Sequence, residues 1–415
     1  MTRNRVVRAV LFLGFFSLYL AAGRSLGSTG VFAYDDAIFQ SDTSRAVRDL
    51  TDRGADHYRT KVHPLFVILL NPAGTLLRKL TGSPLLAAVI LGAGGGALCV
   101  VAAHAFFAAA GLGPTAAAAL SCLLGVSTSH LIFASLPDTF IFTALSFVIG
   151  AWLAARRSGS LRLGVPAGIF SMGMATTNLG PFSLLFAAGA WRADGFRAAV
   201  RKSVALVVLV LLAAVGLSLL QKAVYPSSNL FFVPESFRED TGYMFVPHSA
   251  KRAEIRARVL LRHVTVFGLV APRPLARTPE GSPVPWVTFH KATLADFGVA
   301  GRCAVGLLFA LYALAVYGIF RARLFREPVL QALVLGIATL SAFHYFYGDD
   351  LFLYSCSWVF LVVGAVAWGL QGVSRSGRIW ERAVNLLLVL LVVLTAVNNL
   401  GFLQGLVDLY RGAAA

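Results

Sequence analysis

Two adjacent carboxylates, Asp35 and Asp36, open the segment Tyr34-Asp35-Asp36-Ala37-Ile38-Phe39-Gln40-Ser41-Asp42, which follows a long apolar run. Neighbouring carboxylates repel, so they face different ways or share a proton or a cation, an arrangement suited to general-base chemistry and costly as mere solvation. An acidic pair this close to a membrane segment reads as functional. A mixed-charge stretch follows through Arg45, Arg48, Asp49, Asp52, Arg53, Asp56 and His57 to Lys61-Val62-His63-Pro64. There Asp49, Asp52 and Asp56 recur at helical spacing beside arginines, which predicts an amphipathic helix from Ser44 to Tyr58 carrying ordinary surface ion pairs.

Other candidates are scattered along the chain. Asp138 follows Pro137, where a carboxylate either stabilises a helix N-terminus or faces a cavity to position an acceptor or a metal ion. His63 precedes Pro64 at the head of an apolar stretch, as a cap or as a substrate contact. Asn178 separates two short apolar runs, where it satisfies freed backbone groups or reaches a polar cavity. In a helix predicted over Ser249 to Phe267, Lys251, Arg258 and Arg262 share one face, suited to lipid headgroups. The stretch from His344 through Tyr345, Tyr347, Asp349 and Asp350 to Tyr354 is rich in tyrosines; these fit an interfacial belt, and Asp350 fits an N-cap. Ala271 to Pro285 is proline-rich and reads as an irregular cover.

The elements that must position these groups are apolar helices. The 415 residues are 57% hydrophobic and 13% charged, with mean hydropathy +0.74, far from an ordinary soluble domain. Apolar runs at 6–27, 84–111, 114–134, 137–155, 161–177, 179–191, 201–222, 300–320, 328–346, 351–371 and 383–404 predict an all-α polytopic membrane protein of about eleven transmembrane helices. The runs on either side of Asn178 are short, as tilted spans or one broken pair. The net charge of +17 lies in short Lys/Arg clusters between apolar runs, the pattern of orientation signals rather than of nucleic-acid binding. The four cysteines fall within apolar runs and offer no disulfide spacing. Arg3, Arg5 and Arg8 before the first run resemble a signal peptide, but an uncleaved first helix is preferred because the many later spans need no separate export signal.

His63 to Leu80 decides the topology. Asn71-Pro72 interrupts its apolar run, so an interfacial helix is expected. With it lying on the surface, Arg3–Arg8, Arg156-Arg157-Arg162, Arg192–Lys202, Arg321–Arg326 and Arg375–Arg382 all share the cytoplasmic side. The long segments 28–83 and 223–299 then lie outside, as two loops of a single membrane domain. All the candidate groups then gather on that outer face.

A transmembrane helix, an acidic pair opening the first outer loop, and a His-Pro before an apolar interfacial helix together resemble the GT-C superfamily of integral membrane glycosyltransferases, whose members include protein mannosyltransferases and bacterial aminoarabinose transferases. Pro137-Asp138, the broken pair around Asn178 and Tyr345–Tyr354 extend the likeness, which covers the first half of the chain best. The resemblance implies a polyprenyl-phosphate-linked sugar donor and an acceptor of unspecified kind: glycan, lipid or protein. It makes Asp35 the base that deprotonates the acceptor and Asp36 its partner, with Asp138, His63, Asn178, Asp350 and Tyr354 as substrate contacts. Arg258 and Arg262 would then meet a carrier phosphate. Cofactor use is left open, a divalent cation included. The implied setting is a bacterial inner membrane, N-terminus inside and active face outside. A secondary transporter would show repeats and charges near the midplane, and neither is evident; a non-catalytic scaffold for envelope polysaccharide assembly is the other alternative. Convergence of Asp35, Asp36, Asp138 and His63 on one cavity separates the transferase from both.

Overall fold

The computed structural model describes residues 2–375 and 377–414, without the side chains of Thr2, Arg3, Phe237, Glu239 and Ala414, so the orientation signal at Arg3 falls outside it. Fifteen α-helices are present among the described residues: α1 Thr2–Gly27, α2 Thr43–Thr51, α3 Phe66–Thr81, α4 Pro84–Ala109, α5 Pro114–Val126, α6 Thr128–Phe133, α7 Phe140–Ala155, α8 Leu161–Met174, α9 Leu179–Asp194, α10 Phe196–Val224, α11 Ala250–Arg262, α12 Val299–Arg321, α13 Pro328–Phe346, α14 Ser355–Ser374 and α15 Arg378–Ala414. Seven helical stretches, those of α1, α4, α10, α12, α13, α14 and α15, are long and apolar enough to cross a membrane. The expected eleven spans thus reduce to seven by length and composition, because α5, α7, α8 and α9 are only 13 to 16 residues long.

Sequence chemistry explains the boundaries. Gly82 takes a left-handed conformation (φ 69°) and ends α3, Ser83 then accepts the Leu86 amide as N-cap of α4, and Pro84 fills its first turn. Pro114 and Pro328 start α5 and α13 in the same way. The predicted run 114–134 is broken at Ser127, whose hydroxyl caps α6. The backbone groups freed there are met by an unexpected partner: the Thr128 and Ser129 amides donate to the Leu269 and Gly268 carbonyls, and Asn399 of α15 bonds Val126, Leu269 and Ala271. The second loop therefore dips among the helix ends.

Small residues set the helix spacing. A Cβ on Gly96 would lie 2.4 Å from the Ala134 Cβ, so α4 packs closely on the end of α6, and one on Gly369 would lie 2.3 Å from the Ala315 carbonyl oxygen, so α14 meets α12 backbone to backbone. The span that includes α14 is the most enclosed of the seven and α10 the most outward-facing.

The first loop carries α2, then a 3-10 turn at Tyr58–Lys61, then α3 with Leu76 and Leu80 exposed along its flank. α2 ends at Thr51, short of the predicted Tyr58. The second loop contains α11, a π-helical turn His263–Phe267, and one departure from an all-helical chain: strands β1 Leu275–Arg277 and β2 Trp286–Thr288, paired antiparallel with Ala276 opposite Val287. The first loop adds to this ribbon, because the Phe39 amide donates to Val287 O and the Val287 amide to Ala37 O. Phe39 is fully buried against Phe289, Phe352 and Phe402, which fastens both loops to the end of the bundle.

Candidate active site

Backbone geometry divides the two acids. Asp35 is exposed, and its Oδ1 accepts the amides of Ser44 (2.8 Å) and Arg45 (3.2 Å), so it caps the first turn of α2. Asp36 adopts φ 67°, with its amide bonded to Ser41 O, and the turn continues left-handed through Phe39 and Gln40. A left-handed aspartate costs conformational energy, and here it is held by the buried Phe39 and by Gln40, whose Oε1 accepts the Asp350 amide. This turn places Asp36 in the wall of a cavity of about 620 Å³ and leaves Asp35 out of it. Asp35, expected to be the reacting acid, thus stands outside the lining, with its Oδ1 bonded to a helix end.

Of the other expected residues, Asp138, His63, Asn178 and Tyr354 line the same cavity. Asp138 is buried; Oδ1 accepts the Thr139 amide at 2.5 Å, while Oδ2 has no hydrogen-bond partner. Burial, reinforced by the Asp42 charge, pushes its carboxyl up to about 7. The His63 Nδ1–H donates to the Met174 carbonyl at 2.6 Å, which leaves Nε2 as an acceptor. Burial, with the cations Arg45 and Arg59, lowers that imidazole to about 3, so it is neutral. Asn178 sits where a 3-10 turn, Thr176–Asn178, joins α8 to α9, and its Nδ2 donates to Ser171 O at 3.0 Å. The two short helices thus form the broken pair that the sequence suggested, with its joint in the cavity wall.

Besides Asp35, three expected residues do not reach the cavity. Asp350 is buried as the N-cap of Leu351–Tyr354, accepting the Phe352 amide at 2.9 Å, and its neighbour Asp349 takes the place in the lining. Arg258 is exposed and paired with Glu254 one helical turn away. Arg262 donates to the Ala292 carbonyl at 2.6 Å on the outside of α11. Position along a helix decides this: the inward face of α11 carries Arg256 instead, 4% exposed. Its guanidinium bonds the carbonyls of His344, Tyr345, Tyr347, Gly348 and Asp349, and so holds the turn that carries Tyr347 and Asp349 into the lining.

Set beside known protein families, curated proteins and solved structures, the chain matches none.

The charged stretch read as surface pairs is partly a buried ladder. Asp52 and Asp56 are exposed as expected, but Arg45 and Asp49 are buried. His57 Nδ1 meets Asp49 at 2.8 Å, Arg45 bonds Asp49 at 2.6 Å and Asp42 at 2.9 Å, and Arg59 reaches Asp240 of the second loop at 3.0 Å. Burial alone would raise the Asp42 carboxyl, but Arg45 and Arg59 outweigh it and hold it below the usual range. Arg45, Arg59, Asp42 and Asp240 all line the cavity. Sequence reasoning missed them because a polar helix face looks the same whether it meets water or a polar cavity. The Asp36 carboxyl has no such partner: burial, then the charges of Asp42 and Asp35, raise it.

Aromatic rings complete the wall. The Tyr354 ring stacks on His344 at 3.9 Å, and Tyr347, Tyr243 and Trp286 lie around the same space. Among the described residues no three carboxylate, imidazole or thiol side chains are placed to hold a metal ion. The arrangement offers one unpaired carboxylate of raised basicity, a second buried acid with a free oxygen, two arginines and a set of ring faces. Those are the parts for deprotonating a hydroxyl beside an anionic leaving group.

Proposed function

We propose that the protein is a glycosyltransferase of the GT-C type that moves a sugar from a polyprenyl phosphate carrier to an acceptor hydroxyl, with Asp36 as the base. The observation that carries this reading is the meeting of Asp36, Asp138 and His63 with Arg45 and Arg59 around one cavity at the loop end of an apolar helix bundle. In the reaction the Asp36 carboxylate takes the acceptor proton while the acceptor oxygen bonds to the anomeric carbon. The bond from that carbon to the carrier phosphate breaks, and the phosphate leaves with the electron pair.

The leaving phosphate gains negative charge and needs donors nearby. Arg59 supplies them, because it lines the cavity and its buried Nε–H has no hydrogen-bond partner, 3.8 Å from the Asp42 carboxylate. The free Asp138 Oδ2 and the neutral His63 Nε2 suit hydroxyl groups of the sugar, and the Tyr354–His344 stack suits its apolar face. The four shorter apolar segments would complete eleven crossings. An odd number agrees with α1 leading into the loop end and α15 finishing there, where the Tyr410 hydroxyl bonds Ala37 O. With the basic clusters inside, the cavity faces the periplasm or exterior of a bacterial cell.

The test is transfer from a panel of radiolabelled polyprenyl phosphate sugars by wild type, Asp36→Asn and Asp35→Asn, all checked for folding by size exclusion. Transfer is expected to fall at least a thousandfold in folded Asp36→Asn and to persist in Asp35→Asn. The reverse order would return the role to Asp35, and undiminished transfer by both would remove the mechanism.

A further inference from the structure

Beside the main cavity lies a second, more open cleft of about 690 Å³, formed between the first outer loop and the segment 229–238 of the second. A wall of ion pairs separates the two spaces. Asp240 gives Oδ1 to Arg59 at 3.0 Å and Oδ2 to Lys61 at 3.2 Å; Asp240 and Arg59 line the main cavity, whereas Lys61 lines the cleft. The linings differ in kind. The main cavity includes Met244, Phe343 and Leu353, while the cleft presents Asp56, Tyr58, Asn229, Glu235, Ser236 and Arg238 and no aliphatic side chain among the described residues.

We propose that this cleft is a binding site for a neutral, hydroxyl-rich chain, an oligosaccharide, that enters from water and directs its reacting end past the Asp240 wall. Saccharide hydroxyls both donate and accept, and the lining supplies both partners: carboxylates of Asp56 and Glu235, the amide of Asn229, the hydroxyl of Ser236 and the guanidinium of Arg238. The lining holds two cations, Lys61 and Arg238, and two carboxylates, Asp56 and Glu235, so no surplus positive charge favours a phosphate or a sulfate. The Tyr58 ring is 38% exposed at the rim and gives a face on which a sugar ring packs. A reaction between a lipid-borne donor and a hydrophilic acceptor also needs two approaches of opposite polarity, and the two linings provide them. That the bound chain is the acceptor rests on the transferase reading; that the cleft binds carbohydrate rests on its lining.

The test uses the full chain in lipid nanodiscs without donor, titrated with neutral hexasaccharides of glucose, of galactose and of mannose, and with a sulfated hexasaccharide as the anionic control. Saturation-transfer NMR reads binding. The expectation is that at least one neutral probe binds, that Tyr58→Ala raises its Kd about tenfold, equivalent to ~1.4 kcal/mol, and that Ser236→Trp fills the cleft and abolishes binding. Absence of binding by every neutral probe, tighter binding of the sulfated one, or binding that survives both cleft substitutions would overturn the proposal. Donor cleavage is assayed separately, so a protein that binds the saccharide yet cleaves no donor refutes the transferase reading and leaves the carbohydrate site standing.

Discussion

Replacing Asp138 by Asn should stabilise the protein at alkaline pH and destabilise it below about pH 4. Asp138 is buried with one oxygen unbonded, and its carboxyl is raised from an ordinary 3.8 to about 7. A carboxyl raised in the fold favours the folded state below about pH 4, and that advantage is lost as pH climbs towards 7, because the unfolded chain ionises freely and the folded one does not. Above pH 7 the loss is complete, at ~4 kcal/mol for such a displacement; by pH 5 only ~1.5 kcal/mol of it has been incurred, so ~3 kcal/mol separates pH 5 from pH 8. The asparagine keeps the Oδ1 acceptor for the Thr139 amide but leaves its NH₂ unbonded, a pH-independent cost of ~1–3 kcal/mol. Wild type should therefore melt at a lower temperature at pH 8 than at pH 5, and Asp138→Asn should flatten that difference. Thermal unfolding in detergent, followed by tryptophan fluorescence at both pH values, measures it. An unchanged pH dependence in the asparagine variant would refute the assignment of a buried, neutral-range carboxyl to this position.

Three further outcomes follow from other parts of the structure. Asp35→Ala removes the cap on α2 and should cost ~1 kcal/mol of stability at neutral pH, read as a lower melting temperature, whereas Asp36→Asn, with no cap to lose and a charge that burial disfavours, should melt no lower than wild type. Arg256→Ala strands the carbonyls at the end of α13 and should destabilise by ~3 kcal/mol or more; hydrogen exchange should rise locally at Tyr345–Tyr354, and exchange no faster than in wild type there would show that the guanidinium does not hold the turn. Gly369→Ala places a methyl 2.3 Å from the Ala315 carbonyl, so α12 and α14 must part and the melting temperature should fall; a variant as stable as wild type would mean the helices are not in backbone contact.

Much of this was legible in the residues themselves. Hydrophobic runs, Pro at helix starts and Gly82 at a helix end are local signals, so the existence and rough limits of the long helices could be read directly. The meeting of Asp36, His63, Asp138, Asn178 and Tyr354 was also within reach, because topology alone sends their loops to one end of the bundle. What could not be read was orientation within a loop. Asp35 and Asp36 are chemically the same, and only a left-handed turn fixed by Phe39 in a distant aromatic cluster decides which one faces the cavity. Likewise Arg256 and Arg258 differ by half a helical turn, and Arg45 sits on a face that reads as solvated until α3 and the second loop enclose it. Sequence determined the solvent of this protein, its helices and the end of the bundle where its polar groups gather, since these depend on composition and local spacing. Only the tertiary structure decided which carboxylates line the cavity, because the turn that aims Asp36 is fixed by contacts of Phe39 with Phe289, Phe352 and Phe402, hundreds of positions away.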